Sequence, residues 1–462
     1  MRDAGAGTGT TGSALKEMRP FLILWIGQVV SALGSGLTSF AVPVEVFRMT
    51  GSAERFGLLL FAATVPGLLV APYAGALVDR WDRRKVLIAT DTGAALTTLA
   101  LAWLFHAGAV ELWQVMAVVA LGSALSAFQE PAFGASVSML VPPRHFARAS
   151  GLMQSGTAIA GIVTPLAGGA LVLALGIDGV LLIDVATFLI AAGTLLLIRI
   201  PRPPRAEGAG PRTSLTAEAG AGLRFVAARR GLLGMLAFFA VLNLGLGIAT
   251  TLLHPLVLSF STPAALGAVA ACAAVGTLLG GVAMGVTGGP ARRMTGVFAG
   301  ALWVSLCLMV AGLRPSAAAI GASLLAMMLV QPMIVGSAGA VWMTKTPPAM
   351  QGRVFAVRKM LALSTFPLAT LVAGPLAERV FEPRMAPGGA FAAALGPWVG
   401  TGPGRGIGVL YVCLGAALAA VSLAFWAVPA IRRVESELPD AVGDAAGAEP
   451  ASETAPLVPA PA

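Results

Sequence analysis

The sequence predicts an all-α polytopic membrane protein, with twelve transmembrane helices in two pseudo-symmetric six-helix bundles. Three observations carry the prediction. Apolar residues make up 57% of the 462-residue chain and charged residues 11%. Lys and Arg gather on alternate connections between the apolar runs. The second half of the chain repeats landmarks of the first. A hydrocarbon core about 30 Å thick needs roughly 20 apolar residues per helix. Only helices or closed barrels satisfy a spanning backbone, and the alternating segments of about ten residues that a barrel needs are not visible in the sequence.

The elements follow in chain order. Residues 1–19 form an N-terminal tail without a signal-peptide core of its own. Spans 1–6 are expected at 20–47, 54–78, 86–106, 111–141, 147–175 and 179–199, which defines an N-terminal bundle over 20–199. Residues 200–231 form a linker. Its first part, "IPRPPRAEGAGPR", is Pro/Gly-rich. Its second, "TSLTAEAGAGLRFVAARR", reads as a surface helix lying on the inner leaflet. Spans 7–12 are expected at 232–260, 264–287, 294–313, 316–342, 354–380 and 406–431, a C-terminal bundle over 232–431. The Ala/Pro/acid-rich tail over 432–462 reads as disordered.

Charge sets the orientation. With both termini in the cytoplasm, 24 of the 30 basic residues fall on the cytoplasmic side. Arg48, Arg55, Arg314, Arg379, Arg384 and Arg405 fall outside. That asymmetry follows the positive-inside rule and places the chain in a bacterial inner membrane. The net charge of +9 then reflects loops over anionic lipid, not nucleic acid. Cys272, Cys307 and Cys413 lie within apolar spans as small hydrophobes. His106, His145 and His254 are scattered, so neither a metal nor a cofactor is expected. The phosphate loop GxxxxGK[ST] is absent, and no Ser/His/Asp set appears, which argues against an enzyme.

The halves repeat. "VPPRHFARAS" (141–150) follows span 4 and "TPPAMQGRVF" (346–355) follows span 10. Pairing their double prolines also pairs Arg148 with Arg353. "FQEP" (128–131) precedes the first and "VQP" (330–332), with Gln331, precedes the second. The charged loop "GALVDRWDRRK" (75–85) has a weaker counterpart in "GGPARR" (288–293). Parallel six-helix halves around a long middle loop point to a duplicated transporter.

Polar residues within the spans mark candidate sites. Gln28, Ser31, Ser35, Thr38 and Glu45 form one helical stripe on span 1. Asn243, Gly247, Thr250 and His254 do the same on span 7. Lipid does not tolerate such stripes, so each faces protein or water; small-residue helix packing is the alternative to a cavity. On span 4, Ser123, Ser126, Glu130 and Gly134 share a face. A charged, unpaired Glu130 at mid-span would cost on the order of several kcal/mol. That makes it the first candidate for proton coupling, with a neutral hydrogen-bonded acid as the plain alternative. Asp184 in span 6 and Asp91 in span 3 are lesser candidates, Asp91 lying close to the basic loop.

The loop Gly75-x-Leu77-x-Asp79-Arg80-x-x-Arg83-Arg84-Lys85 resembles the signature loop of the major facilitator superfamily, with Asp82 where that family has glycine. With "GQVVSALGSGLTSFAVPV" (27–44), "PPAMQGRVFAVRKM" (347–360) and "AGPLAERVFEP" (373–383), the chain resembles the branch of macrolide-efflux and enterobactin-exporter proteins. The resemblance implies that helices 1, 4, 7 and 10 line a central cavity. Gly75 is expected to admit a close helix neighbour. Asp79, at the C-terminus of span 2, opposes its own helix dipole and needs a partner. By the resemblance, that partner is the start of helix 11 near Val354, together with Arg83. "GIVTPLAGG" (161–169) resembles the family's antiporter motif through Pro165, Gly168 and Gly169, with Thr164 replacing a glycine. Unlike many drug:proton antiporters, span 4 carries no Arg.

The expectation is a monomeric secondary transporter in the lipid bilayer. It exports a small amphipathic molecule, such as a drug or siderophore, by alternating access in exchange for protons, and so contributes to antibiotic resistance. The alternatives are the same fold moving a lipid or lysolipid or importing a metabolite, and a non-transporting membrane sensor or scaffold.

Overall fold

A computed structural model describes residues 16–78, 81–108, 110–199 and 215–441. Helices account for nearly all of them, and no strand occurs among the described residues. The long helices are α1 (Arg19–Thr50), α2 (Ala53–Val78), α3 (Arg83–His106), α4 (Leu112–Leu140), α5 (Phe146–Leu197), α6 (Leu215–Ala227), α7 (Arg230–Leu258), α8 (Pro263–Thr287), α9 (Arg293–Leu313), α10 (Ala317–Lys345), α11 (Pro348–Pro375) and α12 (Arg405–Ala427). Eleven of these, all but α6, are long and apolar enough to cross a membrane.

The expected count was twelve, and α5 accounts for the difference. Its 52 residues run without an intervening loop, a length of about 78 Å if straight. Gly176 interrupts the helix with φ 67° and ψ −175°, a conformation that side chains disfavour. The two arms on either side correspond to spans 5 and 6, so counting them separately restores twelve.

Pairings in the first half recur in the second. α1 packs on α5, α2 on α4, and α3 on α4 and α5; correspondingly α7 packs on α11, α8 on α10, and α9 on α10 and α12. Across the halves, α2 meets α11 and α5 meets α8. Large apolar side chains such as Leu69, Leu189, Val286 and Leu368 remain exposed around the bundle, as a lipid-facing surface requires.

The ends are tied by polar contacts. Asp82 caps α3 by accepting from the Arg84 and Lys85 amides at 3.1 and 3.3 Å. Arg84 donates to the Leu195 and Leu196 carbonyls at 2.9 and 3.2 Å, neutralising the C-terminal end of α5. Glu17 pairs with Arg144 and His145 at 2.5 and 3.2 Å. The hydrogen bond from Arg144 holds its carboxyl below the usual range.

Two expectations change here. Residues 434–441 are held, not loose. Lys345, buried at the end of α10, donates to the Glu435 and Leu438 carbonyls and pairs with Asp440 at 2.8 Å. The Ala441 amide donates to the Thr344 carbonyl at 2.8 Å. A buried ammonium needs acceptors, and this segment supplies them; residues 442–462 lie outside the described residues. The expected linker helix is present as α6, and it packs on α11 and α7.

Candidate functional site

The two halves touch at one end and part at the other. At the end bearing the start of α2, a Cβ on Gly374 would meet the Glu54 backbone, and one on Gly169 would lie 2.5 Å from the Pro263 carbonyl oxygen. Backbones therefore approach directly across the halves, as small residues permit. Pro165 and Gly169 of the antiporter-like motif face Gly267 and Pro263 of α8, and Gly168 packs on Phe40. Glu54 pairs with Arg379 at 2.5 Å, and Glu378 accepts from the Ser52 hydroxyl and the Glu54 amide at 2.8 and 3.0 Å. At the opposite, Arg/Lys-rich end, no hydrogen bond or ion pair joins the halves among the described residues.

That geometry bears on the signature loop. A Cβ on Gly75 would meet nothing within 4 Å, so no close helix neighbour sits against it among the described residues. Asp79 and Arg80 lie outside the described residues. Arg83 contacts the Met139 sulfur at 2.5 Å. α11 begins at Pro348, not near Val354, and its Arg353 backbone lies against Gly222 of α6.

A cavity of about 600 Å³ opens in the first half between α1, α4 and the first arm of α5. Gln28, Ser31, Ser35, Ser126 and Glu130 line it. Glu130 is exposed on this wall and has no ion pair or hydrogen bond among the described residues. The burial expected for it falls instead on Asp91 and Asp184, each 1% exposed. Asp91 accepts from Gln28 at 3.2 Å and from Gln129 at 2.8 Å. It belongs to this amide cluster and not to the basic loop. Asp184 accepts from the Thr38 and Thr98 hydroxyls at 2.6 and 3.1 Å. A Cβ on Gly34 would sit 2.8 Å from Asp184 Oδ1, so glycine makes room for this carboxylate. Asp184 lines a smaller cavity of about 330 Å³, which shares Ser35, Ser39 and Ser126 with the first. Glu130 and Asp184 thus line neighbouring cavities, and Asp91 lies behind Gln28 and Gln129 of the first.

Other predicted residues separate. Glu45 pairs with Arg48 at 3.1 Å, away from the rest of its stripe. Ser123 accepts from the Gly67 amide at 3.1 Å, tying α4 to α2. His254 packs between Phe40 and Phe56, with ring centroids 5.9 and 5.3 Å away, at the joined end. Thr250 is exposed. Asn243 and Gln331 line a second-half cavity of about 450 Å³ between α7, α10 and α11.

That cavity holds residues the sequence reading did not single out: Trp342, Arg358 and Lys359. Arg358 lies over the Trp342 ring at 4.9 Å and the Phe355 ring at 5.4 Å from the centroid. The available signal was compositional: no Asp or Glu occurs between Glu218 and Glu378. Gln129 was likewise passed over beside Glu130.

The family model of the Major Facilitator Superfamily matches residues 24–370. The chain belongs to this superfamily. Macrolide efflux protein A of Streptococcus pyogenes is 28% identical over 371 residues, covering 78% of this chain and 90% of that protein. Multidrug efflux pump Tap of Mycolicibacterium fortuitum is 27% identical over 391 residues, covering 78% and 89%. Among solved structures, a bacterial homolog of the human lysosomal transporter Spinster, inward-facing and unoccupied, superposes with TM-score 0.62 at 17% identity, covering 89% of this chain and 98% of that one. The nucleoside transporter NupG gives 0.62 at 15% identity, covering 88% and 98%. The fold and relatives of this superfamily member are those of transporters, which are not enzymes.

Proposed function

We propose that this superfamily member exports a small amphipathic compound from the bacterial cytoplasm by alternating access, driven by proton entry. The observation that carries the reading is the asymmetry between the ends: halves joined through α2–α11 and α5–α8 at one end and apart at the basic end. With the basic end in the cytoplasm, this is an inward-open state, and the cavity walls of both halves face the compartment from which cargo is taken. The efflux relatives support export over import.

Asp91, Asp184 and Glu130 are the groups proposed to carry the proton. Asp91 and Asp184 have neutral donors and no cation partner among the described residues, which leaves a buried charge stabilised by dipoles alone. Glu130 faces the cavity one residue from Gln129, so a proton reaching Glu130 is close to the Asp91 cluster.

The test is drug accumulation in a strain lacking its own efflux pumps. Expression should lower accumulation of at least one amphipathic compound, and an uncoupler should restore it. Unchanged accumulation across a broad panel would remove the exporter reading and leave the scaffold or importer.

A further inference from the structure

We propose that the cavity between α7, α10 and α11 binds an organic anion: an aromatic or apolar body carrying a carboxylate, sulfonate or phosphate. This rests on reading the cavity as part of the cargo path. Trp342, Arg358 and Lys359 line it, and no acid does. Arg358 is half-buried and stacked on Trp342 and Phe355, and it has no carboxylate partner among the described residues. Lys359 lines the same wall. The Trp342 side chain is 1% exposed, and its indole N–H finds no acceptor.

The shortage of acids is built into the chain. No Asp or Glu lies between Glu218 and Glu378, so α7 through α11 supply none. Arg358 counts toward the basic end, but its depth sets it apart from the loop charges. It sits ten residues beyond the start of α11 at Pro348, about 15 Å along the helix, whereas orienting charges lie in loops. A guanidinium held over aromatic rings still has N–H groups to offer the two oxygens of a carboxylate or phosphate. Asn243 and Gln331 add amides to the wall, and about 450 Å³ is room for a drug-sized ligand. The acids of the cavity region stand in the first half and these bases in the second, so cargo and proton would occupy different halves.

The test uses the full-length protein in phosphatidylcholine nanodiscs and three pyrene probes with a butyrate, a butylamine or a butyrate methyl ester tail. Binding is read by pyrene fluorescence against empty nanodiscs. The butyrate should bind at least about tenfold tighter than the other two. Arg358→Gln should erase most of that preference, Arg358→Lys should keep part of it, and Lys359→Gln should weaken it. Gel filtration and thermal unfolding confirm that each variant is folded. Adding phosphatidylglycerol identifies the source of the anion: displacement of the butyrate points to a lipid headgroup, and none points to a soluble anion. Equal or tighter binding of the amine, no binding of any probe, or a preference untouched in all three variants would overturn the proposal. If Arg358 serves only to pair with Glu130 when the basic end closes, Glu130→Gln and Arg358→Gln will behave alike and no anion preference will exist. Binding without export would sink the exporter reading alone; export without anion preference would sink this one alone.

Discussion

At the residue scale, the question is which carboxylate moves the proton. A lone acid on an apolar span draws attention, and Glu130 is the one acid of α4. Burial, however, is a tertiary property. Gln28, Asp91 and Gln129 come from three helices, and no spacing along the chain joins them. Thr38, Thr98 and Asp184 are likewise a three-helix cluster. If Asp91 carries the proton, Asp91→Asn should abolish uphill transport while leaving downhill movement of compound intact, measured in proteoliposomes with and without a pH gradient. Glu130→Gln should shift the pH dependence of transport; an unchanged profile would reduce Glu130 to a cavity-wall residue. The same logic explains why Arg358 was hidden. In "PPAMQGRVFAVRKM" it reads as one more base near the inner boundary, and only the folded chain brings the Trp342 ring of α10 beneath it.

At the element scale, most of the fold was legible because apolar length and basic connections are one-dimensional properties. The spans, the linker helix and the parallel halves could all be read from them. The bend between spans 5 and 6 could not. "LGIDG" (175–179) carries Gly176, Asp178 and Gly179 and reads as a short loop, but the chain uses Gly176 at positive φ in place of a loop. Gly176→Ala should cost about 1–3 kcal/mol and lower the thermal midpoint in detergent. Contacts between halves were also hidden, since Glu54 and Arg379 are more than 300 residues apart. Solvent screens this exposed pair, so it biases the joined end only weakly. In a background free of native cysteines, Arg379→Ala should speed labelling of Ser35→Cys by a membrane-impermeant maleimide added from outside. The charge-swapped double variant, Glu54→Arg with Arg379→Glu, should return the rate toward the starting value.

At the scale of the whole molecule, the halves are two bundles joined at one end by glycine-mediated backbone contact and short polar links. Ser52 and Glu378 lie across that seam at hydrogen-bond distance. In the cysteine-free background, Ser52→Cys with Glu378→Cys should form a cross-link that blocks transport, and reductant should restore it. Transport at full rate through the cross-linked protein would contradict rocking about this seam. In the proposed cycle, the acids of the first half hold the proton and the bases of the second hold an anion. The central claim is that proton entry drives compound out. Its most direct measurement is compound flux in proteoliposomes of the purified protein under an imposed pH gradient. The account predicts movement against the compound's own gradient, opposite to the proton flow, that stops with an uncoupler. Flux that only follows the compound's gradient, with the pH gradient making no difference, would contradict it.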